Sequence, residues 1–257
     1  MSADDAGGSG RAVLVTGASR GIGRAVARAF AEAGDRVAVH YSTSRDEAKE
    51  TLGSLPGTGH FLVHADLFDA EAIRVMVEEA VAGLGGLDVL VNNAGTYVQH
   101  RIAEISYEEW QEAWRRTLAV NLVGAANVTY CAVPHLIARG GGRVVNVSSR
   151  GAFRGEPDHP AYGASKAGMN SMGQSLARAL APHGISVATV APGFVETDMA
   201  AGFLSGPEGD AIRAQSPWGR VARPEEVAAA VRYLASPEAE FVSGAILDLN
   251  GASYLRT

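Results

Sequence analysis

Short apolar runs rich in Val, Leu and Ala recur along this chain. Each is followed by a turn of glycine or small polar residues and then by a stretch of helical periodicity. The runs predict strands over residues 11–16, 36–41, 61–65, 87–91, 143–147, 185–190 and 245–249. Between them, Ala25, Val26, Ala29 and Phe30 fall on one helical face that ends at Gly34. Further helices are predicted over 69–82, over 106–137 with Ser106 and Glu109 at capping-box spacing, over 162–181, and over 224–235 with Pro224 at the start. Residues 150–160 read as a loop, and residues 197–217, broken by Gly and Pro, read as a mobile lid. Buried strands alternating with helices predict one α/β domain over residues 11–257, a doubly wound parallel sheet of about seven strands with helices on both faces. A Gly/Ser-rich flexible tail, residues 1–10, precedes it.

Composition narrows the function. A chain of 257 residues can bury a large core as one unit, and its 31 glycines cluster at the strand–helix turns rather than at a fixed period. The net charge of −6 gives no basic footprint for nucleic acid or an anionic membrane. A lone cysteine, Cys131, excludes an intrachain disulfide and fits a reducing compartment; no metal-ligand spacing involves it. Residues 117–138 form an uncharged run of membrane-spanning length. They hold Asn121, Asn127, Pro134 and His135 inside the α/β alternation, so a helix buried in the fold or at a subunit interface is the better reading. The N-terminus has neither the basic nor the apolar region of a signal peptide, and a soluble cytoplasmic protein is expected.

The chemistry gathers at the strand ends. Gly17-Ala18-Ser19-Arg20-Gly21-Ile22-Gly23 links the first strand to the first helix, where backbone N–H groups at a positive helix end suit a pyrophosphate. No acid ends the second strand. Arg20 with Ser42 and Thr43 suits a ribose 2′-phosphate, which favours NADP over NAD, unless these are solvated loop residues. Asp66, before Leu67, fits either an adenine amino group or a turn cap, and Asn92-Asn93-Ala94-Gly95 fits either a ligand edge or a plain turn. Asn121 sits mid-helix, where its bland role is a buried amide. Tyr162 and Lys166 share one helical face. An ammonium there favours the phenolate and brings the hydroxyl toward a useful pKa, although such a pair is also common on plain surfaces.

Taken together, Thr16 through Gly23, Asp66, Asn92 through Gly95, Asn121, Ser149, Tyr162-x-x-x-Lys166 and Pro192-Gly193 resemble the short-chain dehydrogenase/reductase family across nearly the whole chain. The run from Ser216 through Arg220, with Pro224-Glu225-Glu226 and Asp248-Leu249-Asn250-Gly251, is most similar to the 3-oxoacyl-(acyl carrier protein) reductase group. The resemblance implies a Rossmann-like sheet, hydride transfer between nicotinamide and a carbonyl or secondary alcohol, and a homotetramer. It implies Tyr162 as general acid or base, Lys166 as its partner and ribose holder, Ser149 on the substrate oxygen and Asn121 holding a relay water. Ser149 is chosen over Ser148 because the family's serine lies thirteen residues before the tyrosine. Cofactor contacts implied are Gly17, Ser19, Arg20, Gly21, Ile22, Gly23, Ser42, Asp66, Leu67, Asn93, Ala94, Gly95, Tyr162, Lys166, Pro192, Gly193, Val195 and Thr197; substrate contacts are Ser149 and Tyr162. A 3-oxoacyl thioester is the expected substrate. The alternatives are a sugar or polyol dehydrogenase and a non-catalytic cofactor-binding protein. His183 and Gly140-Gly141-Gly142 stand where acyl-carrier reductases often carry basic residues. Arg139 and Arg154 could compensate, but the net acidity opposes docking of an acidic carrier protein. The polar loop from Arg154 to His159 suits a small hydrophilic substrate instead.

Overall fold

The apolar runs form the strands of one parallel sheet in a computed structural model that describes residues 10–256. The tail expected over residues 1–10 lies outside the described residues except for Gly10. In chain order the elements are β1 (Ala12–Val15), α1 (Gly21–Glu32), β2 (Arg36–Tyr41), α2 (Arg45–Ser54), β3 (Phe61–His64), α3 (Ala70–Leu84) and β4 (Val89–Asn92). Then come α4 (Tyr107–Leu118), a π-helical turn (Ala119–Gly124), α5 (Ala125–Ala138), β5 (Gly142–Val147), α6 (Gly151–Arg154) and α7 (Pro160–Leu180). The chain ends through β6 (Ile185–Pro192), α8 (Asp198–Ser205), α9 (Gly209–Ala214), α10 (Pro224–Leu234) and β7 (Ile246–Leu249).

The strand order is β3-β2-β1-β4-β5-β6-β7, with every pairing parallel. Strands β1, β4 and β6 are buried along their whole length, because helices cover both faces. On one face Val13, Val15 and Val91 pack with Phe30 of α1 and Val227 and Val231 of α10. On the other, Leu14 and Leu90 pack with Ile73 and Met76 of α3 and with Val128 and Leu136 of α5. The order reverses between β1 and β4, so the turns after these two strands diverge and open a crevice at the sheet's carboxyl edge.

The elements depart from expectation in four places. The helix expected over 106–137 is capped by Ser106 and Glu109 as anticipated, but it is broken by the π turn. There Gly124 passes so close to β3–α3 that a Cβ would come within 2.7 Å of the Leu67 carbonyl. Helix α2 was not anticipated; it buries only Ala48 and Thr51 and so carries no apolar stripe. The segment expected as a lid folds into α8 and α9, and a single helical turn, α6, interrupts the loop at 150–160. By length and composition alone, Tyr107–Ala138 is long and apolar enough to cross a membrane. It instead packs α5 on α3 and leaves Val123 and Tyr130 on the outer flank.

Candidate active site

Two adjoining cavities occupy the carboxyl edge of the sheet, and Tyr162 lines both. The larger, about 1350 Å³ with its mouth, runs along the turns after β1, β2, β3 and β4. The smaller, about 640 Å³, lies between the β5–α7 connection, the segment after β6, and α8.

The glycines set the floor of the larger cleft. Gly17 and Gly21 hold φ of +61° and +55°, a region that favours glycine. A Cβ on Gly23 would strike the Gly17 carbonyl and lie 2.6 Å from Asn93 Nδ2, so only glycine lets α1 start against this turn. The N-terminus of α1 has no side-chain cap and no acid in its first turn, which leaves its N–H groups for an anion. The turn is pinned from both sides. Its Gly17 N–H donates to His40 Nδ1 at 2.9 Å, and Asn93 Nδ2 donates to the Thr16 and Gly17 carbonyls at 2.9 and 3.0 Å. Burial holds His40 at a pKa of about 4, so it stays a neutral acceptor there, and its Nε2 donates to the Ala65 carbonyl.

All the expected contacts from Gly17 to Gly95, together with Tyr162, Lys166 and Thr197, line this cleft; Pro192, Gly193 and Val195 line the smaller cavity instead. Arg20 is exposed at the cleft and has no carboxylate partner among the described residues. No acidic side chain ends β2 beside it. Asp66 does both things open to it: it lines the cleft, and its Oδ1 accepts the Phe68 N–H at 3.0 Å. This set fits a phosphorylated dinucleotide, with backbone N–H groups at one end and an uncommitted guanidinium at the second strand. Arg116, one turn before Val120 on the same helix face, also lines the cleft and was not anticipated.

The chemistry-bearing side chains meet where the two cavities join. Ser148 is committed to the fold, its Oγ donating to the Lys166 carbonyl at 3.2 Å. Ser149 faces the smaller cavity with Tyr162, and its Oγ also accepts the Gly151 N–H at 3.0 Å. Burial pushes the Tyr162 hydroxyl up to about 12, partly offset by a hydrogen bond with Ser149. Burial also pulls the Lys166 ammonium down to about 8; its Nζ donates to the Val147 carbonyl at 2.8 Å and lies 5.8 Å from the Tyr162 ring centre. Desolvation thus outweighs the lysine's expected effect on the tyrosine, and Ser149 is the group that draws the hydroxyl back.

Asn121 is fully buried in the π turn and lines neither cavity. Its Oδ1 accepts the Thr96 N–H at 2.7 Å, while Nδ2 donates to the Thr96 carbonyl and to Ser165 Oγ. It is separated from the lysine by Gly95, where a Cβ would lie 3.4 Å from Asn121 Oδ1 and 3.7 Å from Lys166 Nζ. Met199 and Phe203, from the segment expected as a lid, line the smaller cavity; Tyr97 lines it too and was not anticipated, because nothing local in sequence marks a residue that meets the site only through the tertiary fold. Among the described residues, no group of three or more His, Cys, Asp and Glu is arranged to hold a metal ion.

Comparison with known proteins gives one consistent result. A family model described as enoyl-(acyl carrier protein) reductase matches residues 17–251. The 3-oxoacyl-[acyl-carrier-protein] reductase FabG of Staphylococcus aureus is 36% identical over 247 residues, covering 95% of this chain and 98% of that protein. The Aquifex aeolicus protein of the same name is 38% identical over 248 residues, with 95% and 98% covered. Among solved structures, a short chain dehydrogenase from Burkholderia cenocepacia in complex with NADP aligns with a TM-score of 0.86 at 33% identity, covering 95% of this chain and 98% of that one. A dehydrogenase/reductase from Sinorhizobium meliloti aligns equally well, with a TM-score of 0.86 at 33% identity and 96% of each chain covered.

Proposed function

From the premise that this chain belongs to the short-chain dehydrogenase/reductase family, as its full-length matches show, we propose that it uses NADPH to reduce the ketone of a 3-oxoacyl thioester or a related small ketone. The observation that carries this reading is the meeting of Ser149, Tyr162 and Lys166 at the junction of the two cavities.

The nicotinamide supplies the hydride; the chain supplies position, charge and a proton. With its pKa near 12, Tyr162 holds its proton at neutral pH and serves as the acid that protonates the carbonyl oxygen. Ser149 donates to the same oxygen as negative charge develops on it. Lys166, mostly charged at neutral pH, would hold the nicotinamide ribose. The side chain of Asn121 is already spent on Thr96 and Ser165, so a water relay to Lys166 through this residue uses its backbone carbonyl. Arg20 and Ser42, which line the cleft at the end of β2, would hold the 2′-phosphate of NADP.

The test is NADPH oxidation with an acetoacetyl thioester. The wild-type protein turns it over. Tyr162→Phe lowers kcat by about 10²–10⁴-fold, the usual worth of a positioned acid, while NADPH binding persists. Turnover that survives this change would assign the proton to another group. A homotetramer in the cytoplasm is part of the same proposal, supported by the exposed apolar residues Val123, Tyr130 and Phe241 and by the single cysteine.

A further inference from the structure

The substrate cavity has an aromatic wall. The Tyr97 ring stacks on His159 with centres 3.6 Å apart and meets the Tyr162 ring edge-on at 4.7 Å. Phe203 of α8 stands 6.1 Å from Tyr97 and 6.5 Å from Phe194, which closes the far side. The wall is held from behind, since the Arg150 guanidinium lies over Phe194 at 5.5 Å and donates to Ser253 at 2.6 Å. Rings placed this way offer faces and edges to a flat ligand, whereas a flexible alkyl chain gains nothing from their orientation.

One carboxylate enters this wall. Glu156 is half-buried, lines the cavity with Ser149 and Tyr162, and has no hydrogen-bond partner for its carboxylate among the described residues. It is seated against Gly151, where a Cβ would come within 2.8 Å of its Cγ and Oε1, so the glycine makes its room. Two guanidiniums lie near it, and both are spoken for: Arg150 by Ser253, and Arg154 by Gln215 at 3.1 Å. Their positive field disfavours a cationic amine beside the carboxylate, while the open lone pairs call for a neutral donor. Burial raises the Glu156 pKa, which reports the same lack of a satisfying partner.

We propose that Glu156 sets the substrate class of this site, which is a ketone on an aromatic or similarly flat ring that carries a hydroxyl donor remote from the carbonyl. The ring lies against Tyr97, Phe194 and Phe203, its carbonyl oxygen meets Ser149 and Tyr162, and its hydroxyl donates to Glu156. The inference rests on the ketoreductase reading above and narrows its substrate. An analogue without the hydroxyl leaves the carboxylate unpaired in the cavity. That penalty is moderated by the half-burial of Glu156 and still separates the hydroxy ketone from its ether.

The experiment compares meta- and para-hydroxyacetophenone with their methoxy ethers, which cannot donate, and with an acetoacetyl thioester. NADPH oxidation is followed in each case. The expected result is a kcat/KM at least about tenfold higher for one hydroxy ketone than for its ether. In Glu156→Leu that ratio falls to within about twofold, and in Glu156→Gln, which keeps an acceptor without the charge, it is intermediate. NADPH binding and a cooperative melt check that each variant is folded, and Glu156→Gln carries the test if Glu156→Leu is not. Equal rates for hydroxy ketone and ether, a preference that survives both substitutions, or turnover of the thioester alone would each overturn the inference and leave the reductase reading standing. No NADPH oxidation with any substrate would overturn both.

Discussion

Tyr162 and Lys166 show what burial does to a pair that charge alone would read differently. An ammonium beside a phenol lowers the phenol's pKa, yet here the hydroxyl rises to about 12 and the ammonium falls to about 8, each because water is excluded from its charged form. Spacing places both side chains on one helical face; only the tertiary structure reveals how much solvent each retains. His40 carries the same effect into stability. Its folded pKa of about 4 lies below the ordinary 6.5, so the unfolded chain takes up a proton first as pH falls. Its contribution is intact above pH 6.5 and is lost between 6.5 and about 4, with a full span of about 3 kcal/mol. His40→Asn keeps an acceptor for the Gly17 N–H and does not titrate. Chemical denaturation from pH 7 to pH 4 is expected to show a shallower loss for the variant than for the wild type. His64 and Asp66 act on His40 in opposite directions and less than its burial does, and the other titrating groups, His159 among them, cancel in the comparison. Parallel curves would mean that the histidine is not held neutral.

At the scale of elements, the strands and α1 were legible because each must bury a continuous or periodic apolar surface, and those patterns survive in any context. Helix α2 was not: its only buried residues are Ala48 and Thr51, and the available signal was the Ser44-x-x-Glu47 spacing at its start. The π turn left no mark in an apolar stretch that reads as uninterrupted helix, and the approach of Leu67 to Gly124 that accompanies it exists only in the tertiary fold. Helices α8 and α9 were hidden by the Gly206-Pro207 break between them. The glycine turn is where sequence and packing agree most closely. Gly23→Ala forces a methyl into the Gly17 carbonyl and Asn93 Nδ2, and such overpacking costs about 1–3 kcal/mol. It also moves the start of α1 away from the phosphate position. Both the melting temperature and the NADPH affinity are expected to fall. Gly202→Ala, at a helical position where a Cβ meets nothing within 4 Å, serves as the control and is expected to be neutral or to stabilise by about 0.5–1 kcal/mol. If the Gly23 variant binds NADPH as the wild type does, close packing of α1 is not what builds the cradle.

For the whole molecule, the helical stretch that contains Asn121 also has an exposed apolar flank. Val123 in the π turn and Tyr130 on α5 are 51% and 80% exposed, while Asn121 of the same π turn is fully buried. Water is a poor neighbour for that flank, and the length of Tyr107–Ala138 that suggests a membrane span is explained equally by a helix covered by another copy of the chain. A carrier protein is a weaker candidate to cover this surface or the site entrance. Arg139 is tied to Asp88 at 2.9 Å and Arg154 to Gln215, so the cations that would meet an acidic partner are already engaged. Placing carboxylates on the flank tests the assembly directly. Val123→Glu with Tyr130→Glu buries like charges against their symmetry mates wherever the flank pairs with itself. Light scattering is expected to give a mass below that of the wild type. Activity should fall with it, because the π turn that fixes Thr96 and Ser165 through Asn121 loses its outer support. An unchanged mass would move the interface to the β7 end of the sheet, where Phe241 and Leu247 are also exposed.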